Sequence, residues 1–194
     1  MRSVYRLQRC AATGEWNCGS SNGATFDKRE QEGQNKVENA APAETEEQIM
    51  REPIQVGDWV VDIDRDVTIA TYCWLPLISE RCSCAYCRNY VAAVDRLPPA
   101  FLQLLDRLGI DPRREAEVYE MNRNDDGTHY YGGFYHCVGR IVREPDQARL
   151  VPIAPTLEIW FTAHVALVPN DFPRPVLQIE FTGNVPWVLD ESQG

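Results

Sequence analysis

A chain of 194 residues, 44% of them hydrophobic and with a formal net charge of -10, is long enough for one domain with a real core, because domains cluster around roughly 100 to 150 residues. No run of about 18 apolar residues occurs, so no membrane-spanning helix is expected, and MRSVYRLQRC lacks the apolar segment of a signal peptide. The acid excess argues against phosphate backbones as partners, whose affinity comes largely from Lys and Arg releasing counterions. A basic protein, opposed in the manner of an acidic immunity-type partner, or a cation fits the charge better.

These features together point to the cytoplasm. There the seven cysteines, at positions 10, 18, 73, 82, 84, 87 and 137, are expected to be reduced or metal-bound.

Within residues 1–52, the stretch 13–52 is dominated by Gly, Ser, Asn, Gln, Glu and Ala, with few aliphatics and no sustained period. Such a segment cannot bury enough surface to offset its ordering entropy, so a disordered leader is expected, followed by a single α+β domain over 53–194. Both lysines of the chain, Lys28 and Lys36, fall in the leader, whereas residues 51–194 carry 13 Arg and no Lys.

In the domain, Val61 and Ile63 alternate with Asp62 and Asp64, and the β-rich run VTIATYCWL follows, so two strands are expected. Asp62, Asp64 and Asp66 have the spacing of a calcium loop. An EF-hand starting at Asp62 needs Gly at 67 and Glu at 73, where the chain has Val67 and Cys73, so a solvent-facing strand edge is the better reading. From Ser83, residues Cys87, Tyr90, Val91, Val94 and Leu97 recur at helical spacing until Pro98 and Pro99. A second helix then presents Phe101, Leu104, Leu105 and Leu108, with Gly109 suited to its C-terminal cap. The two make a helical hairpin.

AEVYEMN and THYYGGFYHCVGRIV flank RNDDG, and Asp126-Gly127 predicts a type I′ hairpin, in which both central residues have positive φ. A calcium loop starting at Asn122 fails at its twelfth position, Gly133. LEIWFTAHVALV alternates apolar residues from Leu157 to Leu167, and VLQIEF alternates Leu177, Ile179 and Phe181. This order of elements predicts α+β, a mostly antiparallel twisted sheet with an inserted two-helix hairpin.

CSCAYCRNYVAAVDRLPP, the following LGID, the DG hairpin with YYGGFYHCVGRI and the closing EFTGNVPWVLDE resemble a group of uncharacterised bacterial proteins over most of residues 55–190. The resemblance implies a bacterial, cytosolic setting and brings no catalytic residues with it.

The clearest chemical signal is RCSCAYCRNY, residues 81–90. Structural zinc takes four thiolate or imidazole ligands. Cys82, Cys84 and Cys87 supply three, and Cys73 or Cys137 could supply a fourth; His136 points to the strand face opposite Cys137. The same spacing suits a redox pair, with Cys84 as an exposed nucleophile and Cys87 as its partner at a helix start. It also suits plain buried thiols. A second candidate is HYYGGFYH, where Tyr130, Tyr131, Tyr135 and His136 could bind a ligand or partner; the alternative is that Gly132 and Gly133 mark a bulge or bend. GxSxG, GxxxxGK[ST], GxGxxG and HExxH are all absent. The expected function is therefore a non-enzymatic binding domain, with zinc as its candidate cofactor; the alternative is a thiol-dependent redox protein or enzyme.

Overall fold

The computed structural model describes residues 53–147 and 149–190, together with two short antiparallel strands, β1 (Gln8–Arg9) and β2 (Trp16–Asn17). The chain divides between Met50 and Arg51. Apart from those two strands, the expected leader lies outside the described residues.

The second unit opens with a hairpin of β3 (Ile54–Val56) and β4 (Trp59–Ile63), turned at Gly57, whose φ of 58° suits glycine. Trp59, Val61 and Ile63 alternate into the core. The expected second strand, VTIATYCWL, is instead helical: α1 spans Arg65–Tyr72. Its β-branched content is overridden by local hydrogen bonding. The Asp64 carboxylate accepts from Val67 N–H at 3.1 Å as an N-cap, while the buried Thr68 hydroxyl donates to Asp64 O at 2.7 Å and accepts from Val138 N–H at 3.0 Å. The sheet ladder is thus handed over to side chains where the helix begins. The three aspartates accordingly do not form one strand edge: Asp62 lies in β4 and pairs with Arg140 at 3.3 Å, Asp64 caps α1, and Asp66 sits in its first turn.

Next come a single-turn helix α2 (Ile78–Arg81), α3 (Ala85–Ala93) with a 3-10 turn at Val94–Arg96, and α4 (Pro99–Leu108). The last two are the expected hairpin. Cys87, Tyr90, Val94 and Leu97 are buried on the first, and Phe101, Leu104, Leu105 and Leu108 on the second. Pro99 starts α4, where its missing N–H costs nothing. Gly109 ends it at φ 77°, and a Cβ there would meet Arg65 O at 2.7 Å.

The remaining strands are β5 (Glu117–Arg123), β6 (Thr128–Arg143), β7 (Val151–Ala154), β8 (Leu157–Thr162) and β9 (Val176–Pro186). With β3 and β4 they form a seven-stranded sheet in the order β3-β4-β6-β9-β8-β7, with β5 also on β6. Every pairing in it is antiparallel, so the architecture is α+β with a mostly antiparallel sheet. The long β6 pairs with β9 from Thr128 to Val138, and its other edge is shared by β5 and β4.

Two details depart from expectation. Of the residues in the β5–β6 turn only Gly127 has positive φ, at 82°, because Asp126 Oδ1 accepts from Thr128 N–H (2.9 Å) and Oγ1 (2.6 Å) and Gly127 N–H donates to Asn124 O. This is a three-residue loop closed by a left-handed glycine rather than a type I′ turn. In addition, β8 stops at Thr162, so Ala163 to Leu167 are not strand.

The helices cover one sheet face with aromatic packing. Tyr90 donates to the Tyr135 hydroxyl at 2.7 Å, and Tyr135 in turn donates to Pro112 O at 3.0 Å. Phe181 lies 5.3 Å from Phe101 and 5.6 Å from Tyr90, ring centre to ring centre. Gly133 makes room for that cluster. A Cβ at this position would stand 2.7 Å from Glu117 O and 2.8 Å from the Phe181 ring. Gly133→Ala is therefore expected to destabilise the domain by about 1–3 kcal/mol through overpacking. Asp64→Ala is expected to cost about 1 kcal/mol through loss of the α1 cap. Chemical denaturation of each variant against wild type measures both, and an unchanged midpoint for Gly133→Ala would show that the Phe181 cluster is loosely packed.

Candidate metal centre

The cysteine cluster is assembled by the connection between α2 and α3. Cys82 ends α2, its N–H still donating to Ile78 O at 2.8 Å. Two residues on, Cys84 is the N-cap of α3, and its Sγ accepts from Cys87 N–H at 3.4 Å. Cys87 lies in the first turn of α3, so the one-turn spacing 84–87 folds its sulfur back over Cys84. The three Sγ atoms all lie within 4.8 Å of one another. Such a group could hold a metal ion.

Tertiary bonds fix this corner. Arg81 donates to Glu115 O (3.2 Å) and Ala116 O (2.9 Å), tying α2 to the segment before β5, and Arg88 donates to Ser83 O. From α3, the buried Asn89 donates to Pro186 O at 3.1 Å and accepts from Val188 N–H at 2.8 Å, gripping the end of β9. Tyr131 donates to Tyr86 O at 3.1 Å from the sheet below.

The three thiols differ electrostatically. The backbone N–H and the thiol of Cys84, with the thiol of Cys87, act as donors to Cys82 and hold it below the ordinary thiol range. Burial, reinforced by both neighbouring sulfurs, pushes Cys87 far up. Cys84 is exposed, Cys82 half-buried and Cys87 buried. Within the triad, Cys82 is thus the sulfur best supplied with donors to carry negative charge, whereas the redox reading assigns the nucleophile to Cys84.

The proposed fourth ligands stand elsewhere. Cys137 is fully buried on β6, pointing its thiol at Leu177 O at 3.7 Å, and burial raises it to about 12. It does not join the cluster. Cys73 is disulfide-bonded, so it is neither a free thiol nor a thiolate ligand, and the expectation of seven open or metal-bound thiols fails at this position.

The four residues of the HYYGGFYH candidate do not converge. Tyr131 and Tyr135 are fully buried beneath the helices, while Tyr130 is half-buried and His136 buried on the opposite face. His136 Nε2 lies 3.3 Å from Gln178 Oε1, and burial keeps the ring below its usual range, in the neutral form. Gly132 and Gly133 mark no bulge: the β6–β9 register runs unbroken through both, and the ring of Tyr119 covers Gly132 as Phe181 covers Gly133.

Two polar features escaped the sequence reading. His129 is buried with Nδ1 at 3.1 Å from Glu120 Oε1 and its ring 4.9 Å from that of Trp187. Glu115, only 1% exposed, has no hydrogen-bond partner for its carboxyl oxygens outside its own residue. Desolvation raises it to about 8, against the smaller opposing pull of Arg81. In PRREAEVYE nothing distinguishes Glu115 from its solvated neighbours, because the tertiary fold alone encloses it.

No protein-family model, curated protein or solved structure matches the chain, so the site rests on its own geometry.

The Glu115 carboxyl gives a signed pH prediction. Above its ordinary value of about 4.3 the unfolded chain is ionised at this position, while the folded chain stays protonated up to about 8. The folded state then binds more protons. Its stabilisation is complete below the ordinary value and is lost progressively as pH rises to about 8, by a few kcal/mol at ~1.4 kcal/mol per unit. Glu115→Gln is expected to flatten this part of the profile and to be more stable than wild type at pH 8. Denaturant unfolding at pH 5, 6.5 and 8 measures it, and parallel profiles for the two proteins would show that Glu115 is solvated.

Proposed function

We propose that the domain is a non-enzymatic binding module whose Cys82, Cys84 and Cys87 hold a zinc ion. The observation that carries this reading is the convergence of three sulfurs from one short connection. Tetrahedral zinc with thiolate bonds of about 2.3 Å places neighbouring sulfurs about 3.8 Å apart, inside the 4.8 Å within which the three sulfurs lie. With Cys87 buried and Cys84 exposed, the fourth ligand of a zinc ion would come from water or a partner's donor. A bound ion would join the end of α2 to the start of α3, and through Asn89 support the end of β9.

The triad favours this over thiol redox chemistry through Cys84 and Cys87. Such a pair needs two sulfurs with the attacking one exposed and activated, whereas here the donors are divided: Cys84 accepts from Cys87 N–H, and the third thiol, Cys82, is the one held below the ordinary thiol range. For macromolecular partners, the net charge of -10 supports a basic protein. Association with it should weaken as salt is raised.

Elemental mass spectrometry on the full chain purified without chelator is expected to find one zinc per chain. Cys82→Ser and Cys84→Ser are each expected to lower zinc affinity by at least about tenfold, and Cys137→Ser to leave it unchanged. In wild type, the three thiols should resist alkylation until chelator is added. A chain that binds no zinc and whose thiols all react at once would sink the reading, and a single fast-reacting thiol would transfer it to redox chemistry.

A further inference from the structure

A cavity of about 200 Å³ opens between the C-terminal end of α1 and the loop of residues 163–175, with Trp74, Leu75, Arg81, Arg114, His136 and Leu167 among the residues lining it. We propose that it binds a small organic anion with an apolar body, the acid group meeting Arg81 and Arg114 and the body lying between Trp74 and Leu167.

Charge supports the anion. Although the chain is strongly acidic, the full charges on these walls are cationic. Arg81 donates Nη2 to two backbone carbonyls, which orient the guanidinium without neutralising it, and it forms no salt bridge with a carboxylate among the described residues, the buried Glu115 acting on it only through space. Arg114 uses Nε on Asp111 at 3.2 Å, which leaves its terminal nitrogens for a ligand. Carboxylate recognition by guanidinium groups is strong because the donors are charged and lie in one plane. The one carboxyl of the lining, Glu115, has its oxygens turned away from solvent and is held mainly protonated at neutral pH, so it does not repel the ligand.

The apolar half has independent support. Trp74 is 49% and Leu167 60% exposed, large hydrophobic surfaces left in water at the lining of one cavity. Leu167 is also the sole non-glycine among the described residues with positive φ, at 55°. Leucine is strained there because in the left-handed region its Cβ crowds the following carbonyl oxygen. Strain and solvent exposure thus coincide at one position on the cavity lining, as they do for a side chain positioned to meet a ligand. The walls come from α1, α2, the segment before β5, β6 and the 163–175 loop, so the site is a product of tertiary structure.

The test titrates the full chain with 3-phenylpropanoate, followed by calorimetry and by the Trp74 indole resonance. 3-Phenylpropan-1-ol and 3-phenylpropan-1-amine serve as the neutral and cationic counterparts. One-to-one binding of the carboxylate is expected, at least about tenfold tighter than either counterpart. Arg81→Gln and Trp74→Ala are each expected to weaken it by about tenfold, and Val142→Thr, exposed on β6 and outside the cavity lining, to leave it unchanged. Because Arg81 also anchors α2, the comparison of the three ligands on wild-type protein decides the matter if that variant unfolds. Equal binding of the alcohol, preference for the amine, or no shift of the Trp74 resonance at about 10 mM carboxylate would each overturn the proposal.

Discussion

The pairing of β6 with β9 from Thr128 to Val138 is the constraint to which the rest of the domain is referred. Because side chains alternate along a strand, this register puts Tyr131, Tyr135 and Cys137 under the helices and Tyr130, Phe134 and His136 on the other face. A slip of one residue would exchange the two sets and leave Tyr90 without the Tyr135 hydroxyl. The glycines at 132 and 133 keep the register by admitting the rings of Tyr119 and Phe181, which no other residue would allow at those distances.

From that sheet the helices take their positions, and from the helices the cysteines take theirs. Tyr90 and Tyr131 seat α3 on the sheet, Asn89 grips the end of β9, and Arg81 ties α2 to the segment before β5. The triad is therefore a local motif held from three directions. Its inner sulfur, on Cys87, belongs to the core, while its outer sulfur, on Cys84, faces solvent.

The same corner shows how buried polar groups are handled. Tyr90, Tyr135 and Pro112 O form a satisfied hydrogen-bonded chain, and Thr68 bridges Asp64 and Val138. Glu115 is an exception, a carboxyl enclosed without donors from other residues. Enclosing it costs less when it carries a proton, which is why its titration and the stability of the fold are coupled.

Much of this was legible in advance where the signal was local. The helical faces of 85–97 and 99–108, the cap at Gly109, the β5–β6 hairpin and the closeness of Cys84 to Cys87 all follow from spacings of three and four residues or from a single turn. VTIATYCWL misled because β-branched composition describes a preference for half-buried surfaces, and Asp64 and Thr68 offered the backbone a cap that outweighed it. Alternation to Leu167 misled for a similar reason: apolar periodicity continued after the ladder to β9 had ended at Thr162. What the chain determined by itself was the periodicity of its segments and a three-cysteine turn, because those depend on neighbours within one helical turn. Which thiol is buried, the separation of Cys137 from the triad, the splitting of the HYYGGFYH residues between two faces and the enclosure of Glu115 were decided by tertiary structure alone, since burial and electrostatics are set by residues distant in the chain.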